Sequence, residues 1–130
     1  MKRFVITAVM VLLGSIIVLS RSNTAPTSPV EVGTQAPSFT LKDVEGKEHS
    51  LEQFLARKYT VLMFIATQCP VSDAYNERMA ALQHDYASKD IAFVGINSNK
   101  QESIEEIKEH SVKNNFTFVV LKDWNNVVAD

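Results

Sequence analysis

Cysteine is almost absent from this 130-residue chain: there is one, Cys69. A single thiol excludes an intramolecular disulfide and any cysteine-rich zinc site, and it leaves one odd sulfur to explain. The three histidines, His49, His84 and His110, are scattered without ligand spacing, so neither a metal centre nor another cofactor is expected. Basic clusters are missing too. Thirteen Lys and Arg stand against fifteen Asp and Glu, and no basic run follows Arg3, which argues against nucleic acid as a partner. There is no internal repeat and no low-complexity tract. The length fits one domain.

Long apolar runs are also scarce, and the one of membrane-like length, Phe4 to Leu19, sits directly behind Lys2 and Arg3. Positive charge before an apolar stretch at the N-terminus is the pattern of an export signal or a short anchor. As a helix rising about 1.5 Å per residue, the run falls a little short of the ~30 Å hydrocarbon core, which favours a signal peptide. Ser20 and Ser22 offer a small-x-small cleavage site, and no cysteine follows that would take a lipid. Residues 1–22 are therefore read as a signal peptide or membrane anchor, and the rest of the chain as extracytoplasmic, periplasmic or secreted. Residues 23–33, NTAPTSPVEVG, are rich in Thr, Ser and Pro and read as a linker. The domain starts at Thr34.

From there the hydrophobic pattern changes type repeatedly. Phe39 and Leu41 alternate ahead of a Glu45-Gly46 turn, and Ser50 with Gln53 reads as a capping box opening a short helix through Leu55. YTVLMFIA, Tyr59 to Ala66, is a continuous β-rich apolar run, expected to be the central strand, covered on both faces. Tyr75, Met79, Leu82 and Tyr86 then mark one face of an amphipathic helix, which makes both tyrosines core-face aromatics. IAFVGIN, Ile91 to Asn97, is a second buried strand. Ser98 with Gln101 reads as another capping box, opening a helix to about Asn114 with acidic residues early, Lys and His late, and Ile104, Ile107 and Val112 as its apolar side. Thr117 to Leu121 is a third strand. Trp124 reads as a turn-edge aromatic capping the core, and Asn115-Phe116-Thr117 matches the glycosylation pattern only for a eukaryotic secretory context. Strands alternating with helices predict an α/β fold: a parallel-stranded sheet with right-handed crossover helices.

In such sheets chemistry gathers at the carboxyl ends of the strands, and Cys69 falls there, between Ala66 and the following helix. With Cys69 as N-cap, Pro70 takes the first helical position, where its fixed φ fits and its missing N–H costs nothing. The N–H groups of Val71 and Ser72 then point back at the sulfur, favouring thiolate over thiol, and the Ser72 hydroxyl adds a hydrogen bond. Asp73 opposes this by repelling a neighbouring thiolate. A free cysteine that merely packs is the competing reading.

The opening VGTQAPSFTLKDVEGKEHSLEQF, the strand YTVLMFIA running into TQCPVS, the YNERM helix and the strand IAFVGINSN together resemble the thioredoxin-like superfamily, in its redoxin or alkyl-hydroperoxide-reductase/thiol-specific-antioxidant branch. The resemblance spans about Val32 to Asp123. It implies a thioredoxin-like (redoxin) domain over residues 34–130, thiol redox chemistry, and Cys69 at the position of the attacking cysteine. It also implies an incomplete domain, because family members continue past the position of Asp130 into a cis-proline segment, a hairpin and a final helix. Ser72 stands where two-cysteine relatives carry the second thiol. Leu62 and Ala66 stand where peroxiredoxins have Pro and Thr or Ser, with Thr67 one place off. Ile65 replaces the second cysteine of copper-delivery relatives.

The expectation is an exported thiol oxidoreductase of the redoxin type, acting through one nucleophilic cysteine on a disulfide or peroxide. Its partner is a thiol or disulfide protein or an external reductant. The alternatives are a peroxiredoxin-like antioxidant protein and a non-catalytic thioredoxin-like binding module.

Overall fold

The computed structural model describes residues 31–129, so the leader and residues 23–30 of the linker lie outside the described residues. Strands β1 (Thr40–Asp43) and β2 (Glu48–Ser50) form an antiparallel hairpin in which Leu41 pairs with His49. Its turn is built by side chain and backbone together. Gly46 takes φ +82°, open to glycine without a Cβ clash, while the Asp43 carboxylate accepts the N–H groups of Glu45 and Lys47 at 2.9 Å each. Helix α1 (Leu51–Leu55) follows directly, with Ser50 as N-cap but no side-chain cap bond, so the expected box with Gln53 does not form.

Next come β3 (Tyr59–Phe64), a four-residue helix α2 (Pro70–Asp73), α3 (Asn76–Asp85), β4 (Ile91–Asn97), α4 (Ile104–Lys113) and β5 (Val119–Lys122). The five strands lie in the order β2-β1-β5-β4-β3; β3, β4 and β5 run parallel, and β1 is antiparallel to β5. The fold is thioredoxin-like, a mixed sheet whose parallel strands are joined by crossover helices. β3 occupies the edge of this sheet among the described residues, not the centre expected of it. Tyr59, Val61 and Phe64 are exposed. An unbroken apolar run reports β propensity and two apolar faces, but lateral position depends on which strands pair, and that is not encoded in the run itself.

The centre belongs to β4 and β5. Val94 and Ile96 point to one face, where Leu121 joins them with Phe39, Leu41 and Leu51; Val120 points to the other, among Ile65, Met79, Ile107 and Phe118. Period-two alternation thus divides the core into two layers. Gly95, between Val94 and Ile96, points into the second layer, where space is so short that a Cβ would meet Ile65 Cδ1 at 2.6 Å.

Three helical expectations change. The amphipathic helix after Cys69 is broken at Ala74 and Tyr75, and of its predicted stripe only Met79 is buried; Tyr75, Leu82 and Tyr86 are exposed. The two tyrosines are therefore surface residues. Beside Met79 the face is completed by Asn76, a polar residue that hydrophobic periodicity passes over. The capping box of α4 is Ser103 with Glu106, not Ser98 with Gln101, and Val112 lies outside the core. Both pairs satisfy the same pattern, and the helix starts at the later one, with Ser103 as N-cap.

Candidate functional site

β3 ends at Phe64, and residues 65–69 cross the carboxyl edge of the sheet to reach α2. Cys69 is the N-cap of α2 with φ −92° and ψ 115°, and Pro70 opens the helix, as the sequence predicts. One turn is closed by Asp73 N–H to Cys69 O at 2.9 Å and Ala74 N–H to Pro70 O at 3.1 Å. The Cys69 side chain makes no cap hydrogen bond and is half-buried. Its sulfur is therefore not tied up by the helix it caps. Val71 and Ser72 supply first-turn N–H groups that helix geometry leaves without intrahelical partners, and the Val71 side chain is exposed.

The Ser72 hydroxyl is turned toward the loop: its Oγ accepts the N–H of Ala66 at 3.0 Å. That use of Ser72 was not legible in the spacing. Asp73 faces Asn76 and His110, with its Oδ1 2.7 Å from Asn76 Nδ2 and 3.8 Å from His110 Nε2. Asn76 Nδ2 also lies 3.0 Å from His110 Nε2, so the neutral ring accepts there.

Beneath residues 65–68 lies a buried polar network that sequence reasoning missed. Glu102, 2% exposed, accepts the N–H of Thr67 on both oxygens at 3.0 Å and that of Gln68 at 3.1 Å, together with the side-chain amides of Asn97 and Asn99. Asn97 also donates to Ile65 O at 3.1 Å, and its Oδ1 accepts from Lys122 Nζ at 2.8 Å. Lys122 reaches Asn99 O as well and lies 4.3 Å above the Trp124 ring. Buried Asp123 receives the N–H groups of Val127 and Val128. Burial pushes the Glu102 carboxyl up, but the hydrogen bonds led by the Thr67 N–H outweigh it and hold the pKa at about 2. Burial pushes the Lys122 ammonium down, opposed by Glu102 and Asp123. The available signal was the crowding of Asn97, Asn99 and Glu102 behind a buried strand, which a capping pattern alone does not distinguish from a helix start.

Cys69 borders two hollows of opposite character. One is a cleft of about 560 Å³ whose walls include Met63, Phe64, Ile65, Val71, Tyr75 and Met79; the other, about 270 Å³, is lined by Gln68, Asn99, Gln101 and Glu102. The sulfur thus stands between an apolar wall and a polar one.

The AhpC/TSA family profile matches residues 32–130. The thioredoxin-like protein YneN of Bacillus subtilis is 31% identical over 102 residues, which cover 78% of this chain and 59% of YneN. The thiol-disulfide oxidoreductase ResA of Halalkalibacterium halodurans is 31% identical over 78 residues, covering 60% of this chain and 44% of ResA. Among solved structures, that of SMc02350 from Sinorhizobium meliloti superposes with a TM-score of 0.72 at 30% identity, over 78% of this chain and 58% of that one. The matched region is 59% of one curated relative and 44% of the other.

Proposed function

The chain belongs to the AhpC/TSA family, and on that premise we propose that it is a thiol oxidoreductase whose single nucleophile is Cys69. In this reading the Cys69 thiolate attacks one sulfur of a substrate disulfide, the substrate's sulfur–sulfur bond breaks, and its other half leaves as a thiolate. An external thiol then attacks the mixed disulfide and returns Cys69 as thiolate, because the chain holds no second cysteine to do so. The Val71 and Ser72 N–H groups and the Ser72 hydroxyl proton stabilise the thiolate. The observation that carries the reading is the unengaged sulfur at the N-cap of α2, at the carboxyl edge of the sheet and open to the apolar cleft. A packed, inert cysteine has no reason to occupy that junction.

Export is part of the same proposal, motivated by Lys2 and Arg3 ahead of Phe4 to Leu19. An oxidising compartment supplies disulfide-bearing partners, and the leader either is removed or anchors the domain to the membrane. The deciding experiment measures the rate of reaction of Cys69 with an alkylating reagent from pH 4 to 10, and turnover on a small aromatic disulfide with excess thiol. The reading expects Cys69 to be alkylated and to carry turnover that Cys69→Ser abolishes. Turnover surviving in Cys69→Ser, or a wild-type Cys69 that the reagent does not alkylate, removes it. Reporter activity confined to the cytoplasm in a fusion after Gly33 removes the export claim alone.

A further inference from the structure

We propose that Glu102 is the positioning residue of the candidate thiol site: its buried carboxylate clamps the backbone of Thr67 and Gln68 and so sets where Cys69 is presented. The inference rests on the reading of Cys69 as nucleophile, but its physical content can be measured without any turnover.

The loop from Ile65 to Cys69 is held by very little regular structure. After Ile65 N–H, which bonds Ile96 O at 2.9 Å, the next N–H groups leave the sheet ladder. Ala66 N–H goes to Ser72 Oγ, and those of Thr67 and Gln68 both go to Glu102. A loop with its donors in a carboxylate has lost the freedom that surface loops ordinarily keep. Glu102 is in turn fixed from below by the side-chain amides of Asn97 and Asn99, and Lys122 holds the Asn97 Oδ1 and the Asn99 backbone carbonyl. The clamp therefore runs without interruption from the ends of β4 and β5 to the residue before Cys69.

The donor pattern also decides between positioning and proton transfer. Oε1 accepts from Thr67, Gln68 and Asn99, and Oε2 from Thr67 and Asn97. Every partner is an N–H donor, and the oxygens have little acceptor capacity left for a thiol proton. Nor does an uncharged substitute fit. A glutamine at position 102 would turn its own NH₂ either on the backbone donors or on Asn97, whose amide cannot reverse without losing Lys122. The role requires a group that accepts on both oxygens, which is a carboxylate.

The test follows amide hydrogen exchange by NMR in the full chain, together with the rate at which Cys69 attacks a small aromatic disulfide, in wild type and Glu102→Gln. Wild type should protect the Thr67 and Gln68 amides although neither is in a strand. Glu102→Gln should speed their exchange about tenfold relative to Val94 and Ile96, and slow the Cys69 reaction by a similar factor. A merely structural role would raise all four amides together, and that result overturns the proposal. So does a Glu102→Gln protein that keeps the wild-type Cys69 rate, or a wild type whose Thr67 and Gln68 amides exchange at unprotected rates. If Glu102→Gln does not fold, the wild-type amides still decide, and Asn99→Ala, which removes one donor and leaves the carboxylate, should loosen the same two amides; unchanged amides there count against the clamp. Slow reaction of wild-type Cys69 with protected amides would sink the nucleophile reading and leave the clamp standing.

Discussion

Ser72 Oγ lies 3.0 Å from the backbone nitrogen of Ala66 and accepts its hydrogen bond, tying the first turn of α2 to the loop that precedes Cys69. Ser72→Cys would place a thiol one turn from Cys69, in the spacing a resolving cysteine requires, and exchange a good acceptor for a weak one. The expected result is an intramolecular disulfide under oxidising conditions, seen as a mass loss of two hydrogens. Disulfide-reductase turnover should rise because no external thiol is then needed for resolution. Ser72→Ala isolates the other role and should cost about 0.5–1.5 kcal/mol in denaturant unfolding. If Ser72→Cys stays reduced and unaltered in turnover, Ser72 does not limit the chemistry.

His110 makes stability depend on pH. Burial holds its imidazole below the ordinary value of 6.5, partly offset by Asp73 and Glu102, and as the neutral ring it accepts from Asn76. Because the folded pKa is the lower one, the unfolded chain binds more protons between the two values. Stability is therefore fully present above about 6.5 and is lost as pH falls through that value toward the folded pKa. Protonation would set a donor against the Asn76 amide. The melting temperature should fall on acidification from pH 7.5 to 5, and His110→Gln should flatten that slope while costing about 1–2 kcal/mol at pH 7.5. An unchanged slope in the variant would assign the pH dependence to other groups.

Gly95 tests the packing of the second core layer. A Cβ there would lie 2.6 Å from Ile65 Cδ1, 3.1 Å from Val120 Cγ2 and 3.3 Å from Phe118 Cε2. Ile65 is buried and begins the loop that carries Cys69, so relief of the clash pushes on the site. Gly95→Ala should destabilise by about 1–3 kcal/mol and slow the reaction of Cys69 with disulfides. A variant as stable as wild type would mean that Ile65 moves aside freely.

Local chemistry was well encoded in the sequence and lateral arrangement was not. Cys69 as N-cap, Pro70 at the first helical position, the Gly46 turn and the strand at Ile91 to Asn97 all follow from residue type and short-range pattern. The position of Tyr59 to Ala66 in the sheet did not, since strand order is a property of partners far away in the chain. Tyr75 and Tyr86 misled because helical spacing marks a stripe without saying how wide the covered part is; Asn76 and Met79 face inward and the tyrosines flank them. The Glu102 network was hidden for a related reason. Its members come from β4, the turn between β4 and α4, and the end of β5, and each looks like an ordinary cap or loop residue until the strands are aligned.

Trp124 is the only tryptophan in the chain, half-exposed, with the Lys122 ammonium 4.3 Å from the centre of its ring. That ammonium also bonds the Asn97 Oδ1 and the Asn99 backbone carbonyl, and the side-chain amides of these two residues hold Glu102. A cation over the indole face stabilises the pair and perturbs the electronic levels of the ring, so moving the ammonium alters the ring's emission. The protein thus carries its own optical reporter at the carboxyl end of the sheet. Changes around the loop before Cys69 can be followed in real time, without a label, by the fluorescence of one residue.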